Sequence, residues 1–181
     1  TPEQVRRGLT ETRDFIADSL DEIRRMAQAL GFTITDPPTA AGFWDTARKT
    51  TVEGLRSVSD AGVFFLNAHG GRASEGSVDV DLVSTTTPAY QLTSTGAKLT
   101  DPAHDADFAA GRLGYMVVPF DEQGQPVYRE VLGITPRFIR DHGWSFPRES
   151  IGFLNVTGGA IVSAWQGALA LAGLRTLVGW S

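Results

Sequence analysis

Two apolar runs of the chain follow the same plan, and they limit the possible fold more than any other feature. The runs Val63–His69 and Ile151–Thr157 each end in a polar residue that is followed by glycine. A continuous apolar run bounded by turn residues is typical of a strand buried on both faces, as in a parallel sheet. Because ligands in open parallel sheets bind beyond the carboxyl ends of the strands, we expect His69 and Thr157 to lie side by side at that edge.

Helix and strand patterns alternate along the rest of the chain, which predicts βαβ units with right-handed crossovers and a mainly parallel, helix-covered sheet. A β-hairpin is expected around the turn residues 121–124. Thr135-Pro136 carries an N-cap and proline signal that predicts the start of a helix. The other predicted elements are a helix over 1–30 ended by Gly31, a strand at 32–34, one or two helices within 41–57, a helix over 160–171 and a strand over 175–180.

Three further segments and one histidine carry specific expectations. Residues 70–110 are rich in Gly, Ser, Thr and Asp, which predicts a long irregular stretch that serves as a binding-loop region. The helix over 160–171 is apolar nearly all round and is therefore expected to be largely buried. Asp101–Asp107 contains possible metal ligands, but its spacing fits no known metal loop, so we interpret it as a solvated acidic loop. His142, beside Gly143, is interpreted as a cation at a helix C-terminus.

Length, charge and composition restrict the class of protein. The chain has 181 residues, 41% of them hydrophobic, which suits one globular domain over 1–181. A net charge of −5 without a basic cluster argues against nucleic acid as the main partner, and no stretch is apolar enough to span a membrane. The absence of Met at position 1 leads us to expect a fragment of a longer chain. Compartment and oligomeric state stay open.

Several segments together resemble one family. Asp60–Gly70 resembles the strand that delivers the catalytic histidine in caspase-like (clan CD) cysteine peptidases and their CHAT-domain relatives. The segments Ile134–Ile139, Ser150–Gly159 and Leu171–Ser181 are similar to the region that holds the nucleophile strand, the following helix and the next strand. The resemblance implies a three-layer caspase-like α/β fold, with a mainly parallel sheet covered by helices on both faces, to which this chain adds a β-hairpin.

The resemblance also implies a site, and the chain departs from it at the position that matters most. His69 corresponds to the family's histidine, whereas Thr157 occupies the position of the nucleophilic cysteine, and the chain contains no cysteine. A thiol beside histidine supplies thiolate at neutral pH, while an aliphatic hydroxyl is far less acidic. Backbone amides of Gly70 and Gly158 are candidate donors to an oxyanion. The gap from His69 to Thr157 is longer than the roughly 50 residues of caspases.

Three functions remain open from the sequence. The first is a catalytically impaired caspase-like domain that binds a peptide or protein partner or acts as a scaffold, with Thr157 serving only as a helix N-cap. The second is a working peptidase-type hydrolase in which His69 is the base for Thr157 or for a water molecule. The third is an unrelated α/β domain that binds an anion at the Gly158-Gly159 helix start. None of the three requires a cofactor or a metal ion.

Overall fold

The computed structural model describes residues 25–26, 28–29, 31, 51–75, 78–122, 125–157 and 163–180. The strands are β1 (Val63–Glu75), β2 (Val78–Pro88), β3 (Gln91–Leu92), β4 (Lys98–Leu99), β5 (Leu113–Glu122), β6 (Gln125–Ile134), β7 (Ile151–Thr157) and β8 (Thr176–Trp180). The helices are α1 (Val52–Leu55), α2 (Asp105–Ala109), α3 (Pro136–Asp141) and α4 (Ser163–Leu171). None of the helices in these ranges has the length and apolar character that crossing a bilayer requires.

Six strands form one sheet in the order β5-β6-β2-β1-β7-β8, and β1 is the strand that joins its two parts. Val63–His69 of β1 pairs in parallel with β7, and β7 pairs in parallel with β8. Beyond His69, residues 70–75 of β1 pair antiparallel with β2, which is followed outward by β6 and β5. The fold is therefore mixed α/β, and the prediction of a mainly parallel sheet is wrong, because the parallel part holds three strands and the antiparallel part four.

The parallel part forms where the two apolar runs predicted it. Phe64 and Leu66 of β1, and Leu154 and Val156 of β7, alternate along their strands and are buried in one core with Trp165 of α4. Helices α1 and α3 contribute buried side chains to the same core, so the described helices cover this one face. The helical layer on the opposite face, which a three-layer caspase-like fold requires, is not among the described residues.

The opposite face of the parallel strands is less buried than the sequence suggested. Val63, Ile151 and Phe153 lie on it, and each is half-buried. A strand with neighbours on both sides buries its backbone whether or not a helix covers both faces. The continuous apolar run was thus a correct signal for the strand but not for burial on two sides.

The predicted hairpin is confirmed as β5 and β6, which pair from Leu113↔Ile134 to Glu122↔Gln125. Its inner face packs over the paired ends of β1 and β2 through a small second core of Leu82, Met116, Val118 and Val131. Glycines make room for this packing. A Cβ atom built on Gly133 would lie 2.6 Å from the sulfur of Met116, and one on Gly71 would lie 3.0 Å from its terminal methyl carbon.

Residues 70–110 do not form the irregular binding loop that their composition predicted. They hold the second half of β1, all of β2, the small β3–β4 ladder, a 3-10 turn at Pro102–His104 and α2. Polar β-branched residues such as Thr85 and Thr86 are good strand formers once a partner strand is present. That partner is β6, whose pairing with β2 crosses about 50 residues of sequence and is invisible to a local pattern.

The remaining helix and strand predictions have mixed outcomes. Helix α3 begins after Thr135 with Pro136 as its first residue, as predicted, and β8 runs parallel to β7. The N-terminal helix is helical at its described positions and ends at Gly31, with φ +83°. Helix α4 is not buried all round, because Leu171 is 78% exposed while Trp165 and Leu169 are buried. The predicted strand at 32–34 and the helical positions 41–50 lie outside the described residues.

Candidate functional site

His69 and Thr157 occupy directly paired positions on adjacent parallel strands. The register of β1 and β7 runs from Val63↔Ile151 to His69↔Thr157, and β7 ends at this pair. Alternation along β1 and β7 assigns both positions to the face opposite the one that buries Leu66 and Leu154. The predicted side-by-side placement of the two residues is confirmed, and their chemical role stays a prediction.

Two neighbours of this pair were not predicted from the sequence. Asn67 and Asn155 form the register pair two residues earlier, so they belong to the same face of the sheet. Four polar residues therefore occupy the last two register pairs on this face of the parallel strands. The signal was present in the sequence, because each apolar run carries an asparagine two positions before its last polar residue.

His69 is held from two directions. Its backbone N–H donates to the Oγ of Ser84 on β2 at 3.1 Å, and its imidazole donates to the backbone carbonyl of Pro119 on β5. Burial lowers the pKa of His69 below its usual range, although the bond to the Pro119 carbonyl partly opposes this effect. The imidazole is therefore mainly neutral at pH 7. An imidazole that donates one ring N–H is fixed in the tautomer whose second nitrogen is an acceptor.

The two candidate oxyanion donors have different outcomes. The sequence predicted that Gly70 follows the end of β1. In the structure β1 continues, and Gly70 pairs with Val83 of β2. Since the N–H of His69 faces β2, and successive residues of a strand face opposite sides, the N–H of Gly70 faces β7. In the parallel register of His69 with Thr157 this N–H donates to the backbone carbonyl of Thr157, so it is not free to hold an oxyanion. Gly158 lies outside the described residues, so its role stays a prediction.

A second polar cluster surrounds Asp107, which the sequence reasoning placed in a solvated acidic loop. That interpretation fits Asp101 and Asp105, which are exposed, but it is wrong for Asp107 and His104, which are each only 3% exposed. Asp107 accepts hydrogen bonds from Arg56 at 2.7 Å and from Arg112 at 2.6 Å, and its carboxylate lies 2.9 Å from the Nε2 of His142. Burial alone would raise the pKa of Asp107, but these three partners together hold it below its usual range.

The Asp107 cluster is structural in its connections. Arg56 follows α1, Arg112 precedes β5 and His142 ends α3, so one carboxylate ties three separate elements to α2. His142 does sit at a helix C-terminus, as predicted, but its ring is turned to Asp107. Within the described part of the chain, no group of three His, Asp or Glu side chains is arranged to hold a metal ion.

Comparison of the chain with protein-family models, with curated proteins and with solved structures found no match. The resemblance to caspase-like peptidases therefore depends on the sequence segments that carry it. Of the geometry that the resemblance implies, the described residues contain the adjacent parallel strands with a histidine beside the nucleophile position.

Proposed function

We propose that this chain is a caspase-like domain that has lost its nucleophile and binds a polypeptide partner at the face that holds His69 and Thr157. One observation carries the proposal. His69 and Thr157 are paired in register on adjacent parallel strands, at the end of β7. A histidine beside the end of a neighbouring strand is the relation that the family needs between its base and its thiol.

The residue chemistry supports binding over turnover. The chain has no cysteine, so no thiol can take the place of Thr157 from elsewhere in the sequence. An internal threonine has no free amine to act as its own base, and its extra methyl crowds the approach of a substrate. Asparagine and threonine, the residue types at positions 67, 155 and 157, are able to hydrogen-bond a polypeptide backbone.

An active hydrolase is the second candidate, and the state of His69 favours it. A neutral imidazole that is fixed in one tautomer by a carbonyl is suited to accept a proton from a hydroxyl or from water. Because the N–H of Gly70 is used in the strand pairing with Thr157, an oxyanion in this alternative would depend on the backbone N–H of Gly158. In this alternative, the wild-type chain hydrolyses peptides or esters, and His69→Gln abolishes the activity.

Restoring the thiol tests the proposal. A Thr157→Cys variant should react with peptidyl acyloxymethyl ketones, with the adduct identified by mass spectrometry. The matched control is Thr176→Cys, which places the same substitution in an exposed position at the opposite end of the parallel strands. We expect rapid labelling at position 157, slow labelling at position 176 and no hydrolysis by the wild-type chain.

The outcomes separate the candidates. Equal labelling of the two cysteine variants would contradict the caspase-like site, since His69 would then have no influence on position 157. Hydrolysis by the wild-type chain that disappears in His69→Gln would favour the hydrolase instead. Wild-type and His69→Gln proteins with the same background rate on a peptide and ester panel would exclude it.

A further inference from the structure

Strand β5 is the outermost described strand on one side of the sheet, and its outward backbone groups can be assigned. The carbonyls of Glu130 and Leu132 on β6 accept hydrogen bonds from the β2 side, at 3.0 and 2.7 Å. Both residues therefore stand in non-hydrogen-bonded pairs with β5, where their partners are Val117 and Tyr115. It follows that Val117 and Tyr115 direct their own N–H and C=O groups away from β6. No other described strand pairs with them.

The first six residues of β5 also lack the usual protection of an edge strand. Natural edges carry charges or prolines that discourage pairing with another chain. Leu113–Val118 contains no charged residue, and the side chains of Tyr115 and Val117 are 55% and 64% exposed. Tyr128 of β6, which pairs with Pro119 and is 70% exposed, extends the same apolar surface.

This open edge is short and has a defined boundary at each end. At one end Pro119 has no N–H, and its carbonyl already accepts from the imidazole of His69. At the other end Leu113 is buried, and the ring of Phe108 from α2 stacks on Tyr115 at 4.7 Å. The edge that is free to pair is therefore Tyr115–Val117, with Met116 at its centre.

We propose that two copies of this chain associate through antiparallel pairing of their β5 strands, with a two-fold axis at Met116. In this register Tyr115 lies opposite Val117 of the second copy, and the reverse pair follows by symmetry. Both pairs are hydrogen-bonded pairs, so they exchange four backbone N–H···O bonds. An aromatic residue opposite a β-branched residue is a favourable cross-strand pair. The edge is thus complementary to itself, as a two-fold interface must be.

Sedimentation velocity over a concentration series tests the association. The wild-type chain should show a reversible monomer–dimer equilibrium, and Val117→Lys should remain monomeric at every concentration, because each copy would then place a charge in the new strand pair. The control is Val178→Lys, which makes the same change on β8, the opposite edge of the sheet, and should dimerise like the wild type. A monomeric wild type, a dimeric Val117→Lys, or a monomeric but folded Val178→Lys would each overturn the proposal.

Disulfide trapping tests the register independently. Because the chain has no native cysteine, only the introduced thiols can form a cross-link. Directly opposed residues of a hydrogen-bonded pair lie about 5.5 Å apart between Cα atoms, which a disulfide spans, whereas diagonal residues lie about 7–8 Å apart. A mixture of Tyr115→Cys and Val117→Cys chains should therefore form a covalent dimer under mild oxidation, and neither variant should do so alone. A mixture without cross-links, or a single variant that cross-links equally well, would contradict the two-fold axis at Met116.

Discussion

The backbone N–H of His69 donates to the Oγ of Ser84 at 3.1 Å, across the boundary between the parallel and antiparallel parts of the sheet. At this point β1 leaves the register of β7 and enters that of β2, so a regular ladder bond is replaced by a side-chain bond. Ser84 is buried, and its hydroxyl fixes the strand position from which the imidazole extends.

Replacing Ser84 by alanine should therefore affect both stability and the candidate site. We expect Ser84→Ala to lower the free energy of unfolding by about 1–2 kcal/mol, because a buried N–H loses its partner. In a Thr157→Cys background it should also slow labelling by peptidyl ketones. Urea unfolding and labelling kinetics measure the two effects. Loss of stability with unchanged labelling would show that Ser84 does not position His69.

Asp107→Asn should be strongly destabilising. The change keeps the shape of the side chain but removes the charge that neutralises Arg56 and Arg112, and breaking a buried ion pair in this way costs about 3 kcal/mol or more. Asp141→Asn is the matched control, since Asp141 is more exposed and its two arginine contacts are 3.4 and 3.6 Å long. We expect the control to cost less than about 1 kcal/mol in the same denaturation experiment. Equal losses would show that Asp107 is no more important than a surface carboxylate.

The titration of His69 gives a prediction with a defined sign. Because burial lowers its folded-state pKa, the unfolded chain binds more protons around the ordinary value of about 6.5. The contribution of His69 to stability is therefore fully present above that pH and is lost as the pH falls through the folded-state pKa. NMR titration of the three histidines, with His69→Gln used for assignment, should find His69 below about 6.5. A value at or above that range would contradict the burial of the ring.

Replacing two glycines of the C-terminal half by alanine should change the stability of the protein in opposite directions. Gly173 has φ +99°, and a Cβ atom there would lie 2.7 Å from the carbonyl oxygen of Phe146, so Gly173→Ala should cost more than about 1 kcal/mol. Gly167 lies within α4 with no atom near its Cβ position, so Gly167→Ala should raise stability by about 0.5–1 kcal/mol. Thermal denaturation distinguishes the two. A tolerated Gly173→Ala would contradict the turn that links α4 to β8.

The sequence was sufficient where the determining pattern is local. The runs at Val63–His69 and Ile151–Thr157 marked two strands whose ends lie together, and the hairpin, α3 and β8 each had their own turn or capping residues. The continuation of β1 past Gly70 was missed because Gly70-Gly71 indicated a turn, whereas the packing of Met116 requires glycine at position 71 inside the strand. In that case tertiary contact outweighed local preference.

The second cluster was missed for a different reason. The partners of Asp107 come from positions 56, 112 and 142, which no short motif connects. A local pattern of Asp and His in the 101–107 segment describes a hydrated loop equally well, and only the fold brings the compensating cations together. The imidazole contact between His69 and Pro119 is hidden in the same way, since it depends on how the β5–β6 hairpin packs over β1.

The most direct test of the central claim is the ratio of two alkylation rates for Thr157→Cys, measured at pH 7 with His69 present and with His69→Gln in the same chain. The strand register places the introduced thiol position beside the imidazole, so we predict that His69 raises the rate by about tenfold or more through thiolate formation. A ratio near one in two folded variants would show that the histidine and position 157 do not act together, and it would remove the basis for a caspase-like site.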